Sequence, residues 1–294
     1  MEPQSIVERL WPGCQASVEP LRGGITNHNF KVAVQGEAFV LRIGGRDTEV
    51  LGIDRNDEHD AALAAARAGV APEVVRFVEP EGYLVTRFLA GARVPLPEMR
   101  TAANLEQVAA LLRKVHAGDP ISGRFDCFRV VEAYREEASA RSVELPPEDT
   151  EARAIAARIE ELRAGAPVCP CHNDLLNANF IRAEGRLWLV DWEYAGMGDP
   201  FFDLANFSVN HELRPPEESL LLRAYLGEER QDDRAALTLM RFMSDFREAM
   251  WGLVQQGIST LEFDFRAYAK QHFERLRETA AEPRFRAALR RETY

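Results

Sequence analysis

The sequence predicts an α+β protein of two lobes, a small β-rich lobe over residues 1–90 and a larger, mostly helical lobe over residues 91–294. Three observations predict it. Strand patterns crowd the first ninety residues, where helical spacing marks a single segment. Gly91, Pro95 and Pro97 then punctuate a short stretch suited to a connector. Beyond it, apolar residues recur mostly at helical spacing.

The elements follow in order. Residues 18–34 alternate apolar and polar side chains around Gly23-Gly24, and Gln35-Gly36-Glu37 is a turn before a strand over 38–43. A helix is expected over 54–68, capped by Asp54 or Asn56 and stopped by Gly69 and Pro72. Residues 74–78 and 83–88 read as a hairpin around Glu79-Pro80-Glu81-Gly82. Leu105, Val108, Ala109, Leu112 and Val115 mark a helix that ends near His116, where an imidazole suits the helix C-terminus. Another helix is expected over 148–164. A second hairpin joins 180–181 to 187–190 through Ala183-Glu184-Gly185. From about residue 217 the chain is helical in character.

Composition narrows the function. In 294 residues, 36 Lys and Arg stand against 47 Asp and Glu, a net charge of −11, which disfavours a nucleic-acid or anionic-membrane binder. No apolar run reaches the roughly eighteen residues of a membrane span, and Met1-Glu2-Pro3-Gln4 does not open a secretory signal. A soluble, cytoplasmic protein is the expectation. Four cysteines without a CxxC pair fit a reducing compartment. Cys169-Pro170-Cys171-His172 crowds three potential metal ligands together, yet has no second cluster at metal spacing, so the thiols are expected as small buried groups on a strand.

The chemistry concentrates in His172-Asn173-Asp174-Leu175-Leu176-Asn177-Ala178-Asn179 and in Asp191. Phosphoryl transfer needs one carboxylate to orient an attacking hydroxyl and accept its proton, and oxygen ligands for magnesium on the phosphates. Asp174 and Asn179 have the D-x-x-x-x-N spacing of a kinase catalytic loop. The intervening hairpin can return Asp191 to the same cleft.

Five segments stand in one order along the chain: Gly23-Gly24-Ile25-Thr26-Asn27, Val40-Leu41-Arg42-Ile43, the loop from His172 to Asn179, Asp191-Trp192-Glu193-Tyr194-Ala195, and a C-terminal group from Trp251-Gly252-Leu253 to Tyr268-Ala269. Together they resemble the choline/ethanolamine kinase branch of the aminoglycoside phosphotransferase and protein-kinase-like superfamily. The resemblance implies a two-lobed protein-kinase-like fold, ATP in the cleft and Mg2+ on its phosphates. It implies phosphorylation of a small-molecule alcohol, with a cationic choline- or ethanolamine-like acceptor first and an aminoglycoside, thiamine or another small molecule as the alternative. It matches Asp174 to the catalytic base, Asn179 and Asp191 to the magnesium ligands, and His172 to a structural loop histidine. Arg42 takes the place of the strand lysine of protein kinases, with Glu58 as its partner and Asp57 second. Gly24, Thr26 and Asn27 are expected over the phosphates, and Arg87 and Phe88 beside the nucleotide. Asp203 is expected to brace the catalytic loop. Asn173 replaces an arginine common in protein kinases, so an enzyme active without phosphorylation is expected. The resemblance sets Glu193, Tyr194, Trp251, Phe265 and Tyr268 around the acceptor, where aromatic faces attract a quaternary ammonium. Two positions depart from the family: Asn210 stands where a carboxylate is common and Val254 where an aromatic is usual, with Glu212 a candidate to compensate. The oligomeric state is left open.

Overall fold

The computed structural model describes residues 2–21, 27–45 and 48–290. Helix α1 (Pro3–Leu10) precedes strands β1 (Ala16–Leu21), β2 (Asn27–Val34) and β3 (Glu37–Gly44); helix α2 (Arg55–Arg67) follows, and then β4 (Val74–Val78) and β5 (Tyr83–Arg87). The five strands form one antiparallel sheet in the order β1-β2-β3-β5-β4. Alternation sets its faces: Val32, Val34, Phe39, Leu41 and Val85 are buried together with Ile6 and Val7 of α1. The sequence pattern did not anticipate α1. Its eight residues bury only two side chains, too few to print a helical period. Asp54 caps α2 by accepting the N–H groups of Asn56 and Asp57, which settles the choice of cap.

The expected connector is structured. Strand β6 (Ala92–Arg93) pairs with β8 (Phe180–Ala183), and helix α3 (Leu96–Met99) starts directly after it. Prolines at the N-terminal end of a helix cost no hydrogen bond, so Pro95 and Pro97 punctuate without leaving the stretch free. Then come α4 (Ala102–His116), α5 (Cys127–Ala140), α6 (Glu148–Arg163), β7 (Cys169–Cys171), the β8–β9 hairpin (β9, Arg186–Leu189), β10 (Gly196–Gly198), α7 (Pro200–Asn210), α8 (Pro215–Leu226), α9 (Gln231–Ile258), α10 (Phe265–Ala281) and α11 (Pro283–Leu289). Among the described residues no helix is long and apolar enough to cross a membrane.

A continuous apolar core runs from α2 to the C-terminal helices. Its axis is α9, buried on nearly all sides from Ala236 to Gln255 and packed against α5, α7 and α10. A helix buried all round should be apolar all round. Asp245, Arg247 and Glu248 break that rule, and all three are buried.

Candidate active site

The loop after β7 is held from below by α7. Asp203 accepts the backbone N–H groups of His172 at 2.9 Å and Asn173 at 2.7 Å, and Asn206 accepts that of Leu175 at 2.6 Å. Burial alone would raise the Asp203 carboxyl, but the hydrogen bonds from the His116 ring and the His172 backbone N–H hold it below the usual range. His116 is therefore more than a helix-end residue: its Nε2 meets Asp203 at 3.0 Å and its Nδ1 meets the Tyr225 hydroxyl at 2.7 Å. His172 accepts the Asp174 N–H through Nδ1 at 3.2 Å and donates Nε2–H to the Val190 carbonyl at 3.1 Å. Burial keeps that imidazole below its ordinary pKa, so it acts as a neutral strut.

These ties set Asp174 against Asn179, which with Asp191 stands on one wall of the cleft. The Asn179 amide nitrogen donates to the Asp174 carbonyl at 2.8 Å and to its Oδ2 at 3.2 Å, so its amide oxygen takes no part in either bond. Asn179 and Asp191 line a cleft of about 370 Å³ under the sheet. Asp191 sits at φ +71°, a left-handed conformation that costs a non-glycine residue on the order of 1 kcal/mol and that the surrounding contacts must hold.

From above comes Arg42. Its Nη1 meets Asp191 Oδ1 at 2.7 Å and Glu58 Oε1 at 2.6 Å. Burial opposes its charge, and the carboxylates of Asp191, Glu58 and Glu193 more than offset this. Glu58, not Asp57, is the α2 partner. Glu58 is shared with Arg55, whose Nη1 lies at 2.6 Å.

One expectation changes here. Asn27 does not face the cleft: it donates to Glu193 at 2.8 Å and accepts from Arg55 at 3.1 Å. Glu193 correspondingly bonds Asn27 and Arg55, beside Tyr194. Both are buried, and a buried carboxylate takes the nearest donors. Asn29, two residues on and paired in register with Arg42, lines the cleft instead. Gly24 and Thr26 lie outside the described residues. Arg87 and Phe88 do line the cleft, at its outer edge, with Arg87 paired to Glu37 and Glu73 and Lys31 over the Phe88 ring.

On the other side of Asp174 the expected aromatic residues come together. Trp251 donates its indole N–H to the Tyr194 hydroxyl at 3.1 Å, and its ring meets Phe265 and Tyr268 at 5.8 and 5.6 Å. Sequence reading missed two members. Tyr268 donates to Glu248 at 2.7 Å. Arg247 pairs with Glu248 at 2.5 Å, lies 3.8 Å from Asp174 and stacks its guanidinium 4.2 Å from the Tyr194 ring. Nε and Nη2 of Arg247 are buried without a hydrogen-bond partner among the described residues. The signal was present as charges inside the otherwise apolar run of α9. Glu212 does not compensate for Asn210: it pairs with Arg100 at the surface, while Asn210 bonds Asn206 and Val254 is buried.

Electrostatics set Asp174 apart. Burial pushes its carboxyl well above the usual range, Arg247 pulls it down, and Glu248, Asp191 and Glu193 push it up again. Glu248 has the opposite outcome: burial raises it, but Arg247 and its hydrogen-bond donors bring it below its ordinary value.

The phosphotransferase enzyme family model matches residues 17–239. Protein LicA of Haemophilus influenzae is 28% identical over 246 residues, 80% of this chain and 72% of that protein. The crystal structure of a choline/ethanolamine kinase family protein from Mesorhizobium loti is 31% identical, covers 97% of each chain and superposes with a TM-score of 0.84. LicA in complex with AMP, 23% identical over 95% of this chain and 96% of that one, shares the fold at a TM-score of 0.78.

Proposed function

The chain belongs to the phosphotransferase enzyme family and is a small-molecule kinase with an alcohol as acceptor; on that premise we propose that it transfers the γ-phosphoryl group of ATP to the hydroxyl of a choline- or ethanolamine-like amino alcohol. The observation that carries this reading is that Arg42, Asn179 and Asp191 line one cleft, with Glu58 paired to Arg42 and Asp174 bonded to Asn179 behind them. The AMP bound to the LicA fold neighbour supports an adenine nucleotide there.

Asp174 accepts the proton as the acceptor oxygen attacks the γ-phosphorus and the bond to the leaving oxygen breaks. Arg42 neutralises phosphate charge from the sheet side. The amide oxygen of Asn179 and the carboxylate of Asp191 are hard donors suited to Mg2+, which when bound offsets the charge of the phosphates. Arg247, on its other oxygen, favours the ionised base against the burial and neighbouring carboxylates that raise the Asp174 pKa.

Tyr194, Trp251 and Tyr268 beside Glu248 support a cationic acceptor, with rings for the ammonium and one acid close by. A polycationic aminoglycoside favours many carboxylates, and Arg247 cancels one of those present. Purified protein with ATP and Mg2+, assayed for ADP release on choline, ethanolamine, thiamine and aminoglycosides, tests the reading. Efficient turnover of an aminoglycoside alone would overturn the acceptor assignment.

Two further outcomes are expected. Trp251→Ala raises KM for the amino alcohol about tenfold, consistent with loss of roughly 1–2 kcal/mol of ring–cation contact, while KM for ATP hardly moves. Equal changes in both constants would place Trp251 in general packing. Arg247→Met acts through pH. Arg247 lowers the Asp174 pKa, so its loss raises that pKa, and the ionised base appears only at higher pH. The acid limb of kcat/KM should therefore move upward, by about one to three pH units for a close opposite charge. An unmoved limb would show that Arg247 does not tune the base.

A further inference from the structure

We propose that Cys169, Cys171 and His116 form a site for a thiophilic divalent cation of the zinc type, separate from the phosphate cleft. One ligand atom from each residue lies within 4.8 Å of the others. The two sulfurs are 3.9 Å apart. Two Zn–S bonds of about 2.3 Å at a tetrahedral angle span roughly 3.8 Å, so the thiols already have the bite of a tetrahedral ion.

The sequence offers His172 beside the C-x-C pair, but that ring is taken up by the Asp174 N–H and the Val190 carbonyl, and the fold supplies His116 as the third ligand instead. Residues i and i+2 of a strand point to one face, and β7 is held by antiparallel pairing to β10, with Met197 opposite Pro170. The end of α4 brings His116 over that face. All four cysteines are free. Cys169 is half-buried and gives access from solvent, while Cys171 is fully buried.

His116 is prepared for a metal by its neighbours. The carboxylate of Asp203 can only accept, so Nε2 carries the proton and donates to it. The lone pair is then on Nδ1, where it accepts the Tyr225 hydroxyl. A carboxylate behind a ligating histidine fixes its tautomer and orientation and raises its basicity. On binding, each thiol S–H breaks, each sulfur donates a pair to the cation, and two protons leave to solvent. The Tyr225 hydroxyl gives up the Nδ1 lone pair to the cation. Two thiolates cancel the divalent charge, so no net charge is buried. The soft sulfur set favours this class over Mg2+.

Titration with Cd2+ as the probe tests the site, with Zn2+ as competitor. One equivalent should produce the ultraviolet thiolate-to-metal band, displaced by Zn2+, with two protons released per ion. Cys169→Ser, at a half-buried position outside the phosphate cleft, should keep its thermal transition and, in buffer with Mg2+ but neither Zn2+ nor Cd2+, its turnover, while weakening binding of the probe. The loss should exceed the roughly tenfold to hundredfold seen for outer-shell changes. Cys14→Ser should leave binding unchanged. No band in fully reduced wild-type protein overturns the proposal, as does a band that survives Cys169→Ser.

Discussion

Replacing Asp174 by alanine is expected to lower turnover by about three powers of ten while nucleotide affinity stays within a few fold. The carboxylate is buried between Asn179 and Arg247 and touches neither Arg42 nor the sheet side of the cleft. Its removal therefore takes away the proton acceptor without disturbing the groups around the phosphates. The loop itself should survive the change. It is held through backbone N–H groups by Asp203 and Asn206, and through the His172 ring. Asp174→Asn is the companion variant: it keeps the shape and the side-chain oxygen but cannot take a proton at working pH. Both variants should bind the nucleotide and fail at turnover. Near-normal turnover of either would remove Asp174 from the chemistry.

The site was legible where a short stretch carries its own chemistry. Asp174 and Asn179 are five residues apart on one loop, and the hairpin after them returns Asp191 within a dozen residues, so local spacing sufficed. Arg42 and Glu58 were legible through the family resemblance, and the structure supplies the physical reason. A strand and the next helix are close in sequence, and a buried guanidinium needs a carboxylate. The misses have one physical origin, competition among charges from distant elements. Asn27 and Glu193 are 166 residues apart, and nothing local announces that they bond to each other and to Arg55. The roles of Arg247 and Glu248 depend on which face of a fully buried helix meets Asp174 and Tyr268, and in a helix buried on all sides periodicity carries no such information. The fold was legible at the same grain: the periodic helices α2, α4 and α6 and the hairpins appeared, while α5, α7, the eight-residue α1 and the two-residue β6 were not picked out.

Asp191→Asn is expected to cut activity about a hundredfold or more and to raise the Mg2+ concentration needed for half-maximal rate. The charge is what matters. Asparagine keeps an oxygen in nearly the same place but loses the negative charge that a hard dication favours over water. A second contribution comes from Arg42. In the structure Asp191 and Glu58 share its Nη1, so the mutation leaves Arg42 to Glu58 alone and leaves the cleft more positive. A more positive cleft should not weaken the binding of anionic phosphates. Nucleotide affinity measured without metal should therefore hold or rise in Asp191→Asn, even as metal-dependent turnover collapses. Glu58→Gln provides the contrast. It loosens Arg42 and Arg55 together, so it should raise KM for ATP while the Mg2+ dependence stays near that of the wild type. If both variants shift the Mg2+ dependence alike, Asp191 acts through Arg42 and not on the metal.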